Sequence, residues 1–393
     1  MTCGLPQERN IRSDEPAPRA VVRLLGNTLF GMLGPHPPTV ISGHEGGLMR
    51  RLRQTSRHAS LRRGIASLCI VAPLVVAVRP HDGLGAIRRA VSAAFSVREY
   101  LLPHAGAFAH DPAVGKDGIV WFADQPNSYI GRLDPETGAV KEYPTPSPGS
   151  GPHGIIVAPD GGVWYTGNAK GLIGRLDPNT GNIKEYTIAG ARDPHTPLWL
   201  NGTVWFTAQQ ADKYGTLNPA TGEVKVYDVP TPRALPYGMQ RAPDGTIWVA
   251  LFGTNKLGHI DPATAKLTEI DLPNAGARPR RLAITADGRV WYADYARGYL
   301  GLYDPKTRAA REWKTPDDNS NPYGIGIAPD GAIWINEARQ GTMVRFDPAT
   351  EKMEVVVIPT RGSVIRNVTV DSIRHRLWIA ESGVSRLGRI DLK

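Results

Sequence analysis

The chain has 393 residues, including 43 Gly, 34 Pro and nine Trp, and 41% of it is apolar. That is enough to bury a sizeable core, and the high turn content with many Trp argues for an all-β protein over a helical one. The net charge of +9 is uneven: residues 1–95 hold 13 basic against five acidic residues, and residues 96–393 hold 33 against 32. A nucleic-acid binder would carry its basic patch on the folded domain, so this balance argues against nucleic acid as a partner.

Residues 1–48 have no clear periodicity and are rich in Pro, Gly and Arg. They read as a disordered basic extension, or as sequence ahead of a true start at Met49. Residues 49–93 resemble a signal peptide. A basic segment from Met49 to Arg63 precedes an apolar run from Gly64 to Val78, and small residues follow, with Ala86 or Ala93 as cleavage points. The apolar run is short and interrupted by Pro73, so no stable membrane span is expected. Export to the periplasm or outside is the expectation; a cytoplasmic location follows if the segment is not a signal. Cys3 and Cys69 both lie in this extension, so no disulfide or thiolate site is possible beyond it.

From residue 97 the sequence repeats. Trp121, Trp164, Trp205, Trp248, Trp291, Trp334 and Trp378 are spaced by 43, 41, 43, 43, 43 and 44 residues. Most follow an Asp-Gly or Asn-Gly pair, as in Asp160-Gly161 and Asn201-Gly202, whose positive φ angles suit tight hairpins. In one repeat, Gly154–Val157, Val163–Thr166, Leu172–Asp177 and Ile183–Ile188 predict four short strands. Asp177-Pro178-Asn179-Thr180-Gly181 forms the turn between the last two. Four antiparallel strands per repeat make a propeller blade. The last repeat ends after its third strand, and Val97–Pro103 resembles the fourth strand Val140–Pro144. The N-terminal strand is therefore expected to complete the C-terminal blade and hide its open edges. The fold expected over 97–393 is an all-β seven-bladed propeller, a monomer, with the Trp residues filling the space between blades.

The first strand of each blade should line the central channel, so equivalent residues near its start form a ring. Counting about 11 residues back from each Trp gives His110, His153, His195, Tyr237, Arg280, Tyr323 and Arg366. Pro precedes five of the seven, and three of the six histidines beyond the extension fall in this register. Histidine supplies an acid, a base or a metal ligand near neutral pH. Arg280 and Arg366 offer fixed positive charge to a carbonyl, carboxylate or phosphate. The plain alternative is a solvated channel mouth whose side chains bond to neighbouring blades. Acidic companions include Asp193, two residues before His195 and expected on the same side of an extended segment. Asp124, Asp294, Glu337 and Glu381 stand three residues after a blade Trp and could orient a His, hold a divalent cation or pair with Arg.

The repeated Val-Trp-Phe/Tyr-Thr and Ile-Gly-Arg-Leu-Asp-Pro-x-Thr-Gly-x-x-Lys-Glu-Tyr patterns resemble the streptogramin B lyase (virginiamycin B lyase) family of seven-bladed propellers. The resemblance covers residues 97–393. It implies a lyase that opens a cyclic depsipeptide antibiotic by elimination, conferring antibiotic resistance. In that family a His removes an α-proton while Mg²⁺ polarises a carbonyl. The family site has two His at one register in adjacent blades, a Glu two residues before the second, and a further Glu on the next strand. His153 and His195 match the pair, with His195 as the catalytic base. Asp193-Pro194-His195 matches with a shorter carboxylate, and Gln209 stands where the second Glu is expected, leaving Asp193 and Gln209 as the metal ligands. An amide binds Mg²⁺ less well than a carboxylate. His110, Tyr237, Arg280, Tyr323 and Arg366 are then substrate-binding residues. Two functions follow for the ring: a lyase acting on an ester-bearing small molecule, or a non-enzymatic propeller binding a small anionic ligand or protein at the channel mouth.

Overall fold

The computed structural model describes residues 95–104 and 106–392. The extension and its signal-like segment lie outside the described residues. Four-stranded antiparallel sheets repeat seven times around an axis. The inner strands are Ala109–Val114, Pro152–Val157, Pro194–Leu200, Pro236–Arg241, Pro279–Ile284, Pro322–Ile327 and Ile365–Asp371, in blades 1 to 7. Each touches the inner strand of the next blade, and that of blade 7 touches that of blade 1, so the ring closes. The strand Ser96–Leu101 pairs antiparallel with Arg386–Asp391 and supplies the outer strand of blade 7, as the sequence predicts. No helix among the described residues is long and apolar enough to cross a membrane.

Alternation along the second strand of each blade explains the cores. Trp121 of blade 1 packs with Ile155 and Val163 of blade 2, whereas Phe122 faces back to Trp378 of blade 7. The same division recurs at Trp164, which meets Val204 and Phe206, and at Trp291, which meets Ile325 and Ile333. Successive strand residues point to opposite faces, so one faces each neighbouring blade. A Gly in the middle of the third strand, as in Ile130-Gly131-Arg132, lies against the aromatic of the adjacent strand. A Cβ on Gly131, Gly174 or Gly301 would collide with the rings of Phe122, Tyr165 or Tyr292.

The hairpins differ in one detail from expectation. Gly161, Gly202, Gly245, Gly288 and Gly331 have the positive φ, but of the residues preceding these hairpin glycines only Asn201 shares it. The Asp instead acts through its side chain: Asp160 Oδ1 accepts the Gly162 amide at 2.9 Å and Asp330 Oδ1 that of Ala332 at 3.0 Å. An Asx-type turn thus replaces a doubly left-handed one.

Candidate functional site: a polar ring at one end of the channel

Every inner strand breaks register with its neighbour at the same place. The shift falls between Pro152 and Ile155, Pro194 and Pro197, Pro236 and Met239, and at the corresponding points of the other four blades. Such a bulge re-aims side chains that a regular strand would alternate. The ring residue and the residue after it both sit in the bulge. Second-strand polar groups hold several bulges in place. Thr166 Oγ1 accepts the Gly154 amide at 2.9 Å and donates to the His195 carbonyl of the next blade at 2.8 Å. Thr207 does the same between the Thr196 amide and the Tyr237 carbonyl, and Asn336 between Gly324 and Ile365.

The seven residues predicted from register do meet. The rings of His110 and His153 are 3.7 Å apart, those of His153 and His195 3.8 Å, and those of His195 and Tyr237 3.7 Å. The Tyr237 and Tyr323 hydroxyls are hydrogen-bonded across the channel. The guanidinium carbon of Arg280 lies 4.0 Å from the ring centre of Tyr323, 4.3 Å from that of Tyr295 and 4.7 Å from those of Tyr237 and Phe252. Arg366 stands 5.6 Å from the ring of Phe108 and 5.9 Å from that of Tyr323.

A directed chain of hydrogen bonds follows from donor and acceptor chemistry. Arg280 Nη2 donates to the Tyr237 hydroxyl at 3.0 Å. Tyr237 then donates to Tyr323, and Tyr323 to His110 Nε2 at 3.4 Å. His110 Nδ1 donates to Asp111 at 2.9 Å, since a carboxylate only accepts. Asp111 ends the chain and also accepts from Arg281 Nη2 on both oxygens, at 2.8 and 3.0 Å. His110 is thereby fixed in one tautomer. His153 and His195 are not: neither nitrogen of His153 is bonded to another residue, and His195 uses only Nδ1, 3.2 Å from Thr196 Oγ1.

Burial sets the charges. It pushes the His110 imidazole down to about 4, with Asp111 opposing and Arg366 and Arg281 adding to the fall. Burial first, then the neighbouring His and Arg residues, holds His153 well below the ordinary histidine range; for His195 the order is burial, Arg281, His110, Arg280. All three are neutral at pH 7. Burial alone would raise the Asp111 carboxyl, but the Arg281 guanidinium and the His110 hydrogen bond together outweigh it and hold the acid below the ordinary aspartate value.

The Asp111–Arg281 pair was not foreseen. It links blades 1 and 5 across the axis, next to the ring, and borders a cavity of about 280 Å³ on the far side. In the sequence, the only sign of it is that residues following the ring positions alternate between polar and Gly: Asp111, Gly154, Thr196, Gly238, Arg281, Gly324 and Asn367.

Asp193 and Gln209 are placed differently from the ring. Asp193 has φ 58°, so it is not part of an extended segment running to His195, and the two-residue spacing no longer decides which side it faces. Its carbonyl accepts the amide of Gln209, which opens the short turn Gln209–Ala211, and its side chain lies against Asn168. Burial raises the Asp193 carboxyl to about 7. The other acidic companions anchor loops. Asp124 accepts from the Phe108 amide and Asn127, Asp294 from the Arg278 amide and Arg297, and Glu337 from Thr342 and the Asp317 amide. Glu381 is the exception and lies against Glu99 of the closing strand.

Among the described residues, His110, Asp111 and His153 form a group whose ligand atoms all lie within 4.8 Å of one another. These donors do not fit Mg²⁺. It wants a shell of oxygens, whereas two of the three are imidazoles and the single carboxylate is engaged by Arg281 on both oxygens. The Asp193 corner offers one half-neutralised carboxyl beside amides.

A closed seven-bladed propeller with a ring of buried His and Tyr and part-buried Arg at one end of its channel defines the class of the protein. The virginiamycin B lyase family model matches residues 83–197 and 199–393, and the chain belongs to that family. The solved streptogramin B lyase structure is similar, with TM-score 0.70 and 25% identity over 76% of this chain and 98% of that one. Virginiamycin B lyase from Staphylococcus aureus superposes with TM-score 0.71 and 22% identity, over 76% of this chain and all of that one. A catalytically inactive form of the latter, solved with quinupristin, matches equally. No functionally curated protein matches the chain.

Proposed function

We propose that this chain is a lyase that opens an ester-bearing small molecule by elimination, with His195 as the base. The observation that carries this reading is the pair of neutral imidazoles, His153 and His195, with uncommitted nitrogens beside a third that is locked. A base must be unprotonated and have a free lone pair. Thr196 at Nδ1 orients His195 with Nε2 available. His195 takes the proton from the carbon next to a carbonyl, the C–O bond at the adjacent carbon breaks, a C=C bond forms and the ester's acid leaves as a carboxylate. No water is consumed, and the imidazolium returns its proton to solvent. Mg²⁺ belongs to this reading only as the family's cofactor, since the donor set here does not hold it.

The test is liquid chromatography with mass spectrometry of a streptogramin B incubated with the protein, in Mg²⁺ and in EDTA. Elimination gives an opened product of unchanged mass, and hydrolysis a product heavier by one water. The expected result is the first product from the unmodified protein and none from His195→Ala. Intact substrate with both proteins overturns the antibiotic as substrate; equal conversion by both overturns His195 as the base. A second reading, binding of a small anionic ligand without turnover, is favoured by Arg280. It covers the Tyr237–Tyr323 side of the ring, so a ligand arriving there meets a guanidinium first.

A further inference from the structure

We infer that Arg280 and Arg366 form a metal-independent carboxylate site at the channel mouth, and that it holds the acid released by the elimination. The last clause rests on the lyase reading; the binding site does not. Three guanidiniums, of Arg280, Arg281 and Arg366, converge on the ring, but among the described residues the only carboxylate within ion-pair reach of them is Asp111. Arg281 takes both of its oxygens. The three imidazoles are neutral and cannot compensate. Two positive charges on part-buried side chains are thus left without a counter-charge, which is costly unless a ligand supplies one.

The unmet hydrogen-bonding capacity points the same way. Nε of Arg280, Nε of Arg366 and Nδ1 of His153 are all buried without a partner, and His153 is only 4% exposed. Arg280 is also held ready for a planar anion. It is sandwiched against Tyr323 and Tyr295, which fixes the plane of its fork and lowers the entropy lost on binding. Phe108 and Phe252 beside the two guanidiniums provide an apolar flank, so the fitting ligand is an aryl or alkyl carboxylate rather than a small hydrated ion. In the proposed elimination, negative charge develops on the departing carboxylate. Two fixed guanidiniums would stabilise it where the family relies on a divalent cation, which matches a donor set that does not fit Mg²⁺.

The test is isothermal titration of the full chain with benzoate, with neutral benzamide and with inorganic phosphate, in EDTA and then in excess Mg²⁺. Saturable benzoate binding is expected in EDTA, unchanged by Mg²⁺, weakened by salt, and at least tenfold tighter than benzamide or phosphate. Arg280→Gln and Arg366→Gln should each weaken benzoate at least tenfold while keeping the unmodified circular dichroism spectrum. Binding that needs Mg²⁺, equal binding of benzoate and benzamide, preferred binding of phosphate, or unchanged binding by both variants would each overturn the proposal. The benzoate–benzamide contrast needs no variant, so a misfolded variant does not remove the test. Carboxylate binding without turnover sustains this site and removes the lyase reading; turnover without carboxylate binding does the reverse.

Discussion

At the scale of single residues, the site is governed by which polar groups are already spent. Asp111 is the most committed: one oxygen takes a bond from His110, both take bonds from Arg281 Nη2, and all three residues are buried. A buried ion pair contributes little net stability, but removing one partner leaves an uncompensated charge. Asp111→Ala should therefore destabilise the fold by about 3–5 kcal/mol, measured by urea denaturation. A loss under about 1 kcal/mol would show that solvent already reaches Arg281. Arg281→Met together with Asp111→Leu should recover most of the loss, because neither charge then remains buried.

At the scale of the element, the joint between Ser96–Leu101 and Arg386–Asp391 carries a charge conflict found in no other blade of the described residues. Equivalent acids in blades 1, 5 and 6 accept hydrogen bonds, whereas no donor reaches either Glu381 oxygen and Glu99 lies beside it. Burial first, then the Glu99 charge, raises the Glu381 carboxyl to about 8. The folded chain therefore holds a proton that the unfolded chain releases near the ordinary glutamate value. The contribution of this group to stability is full below that value and is lost as pH rises toward 8. Glu381→Gln keeps the shape and removes the titration. It should be within about 1 kcal/mol of the unmodified protein at pH 5 and more stable by on the order of 2–4 kcal/mol at pH 8. Thermal melts of both proteins across this range check it, and parallel curves would show that the conflict is relieved by rearrangement.

For the molecule as a whole, closure by the N-terminal strand decides whether blade 7 has an edge. The strand Ser96–Leu101 hydrogen-bonds along the full length of Arg386–Asp391, and Tyr100 packs on Trp378 and Leu387 in the core between blades 7 and 1. A chain lacking residues 1–102 loses that strand and exposes an unpaired edge. It should aggregate or melt at least 10 °C below a chain lacking only residues 1–94, seen by light scattering and calorimetry. Equal melting temperatures would mean that the ring holds without the joint.

The amino-acid sequence alone specifies the number of blades, the closing strand and the membership of the ring. One Trp must fill each gap between sheets, so the gaps could be counted, and one register in every blade faces the axis. It also displayed His153 and His195 as a pair one blade apart. It could not display Asp111 with Arg281, because they are 170 residues apart and a bulge, not strand alternation, turns both inward. Nor could it show that Asp193 is left-handed, which breaks the extended alternation that its spacing assumes. Periodicity is a property of each repeat and is written into the chain. Which charges neutralise each other depends on what lies across the axis, and only the closed ring brings those residues together.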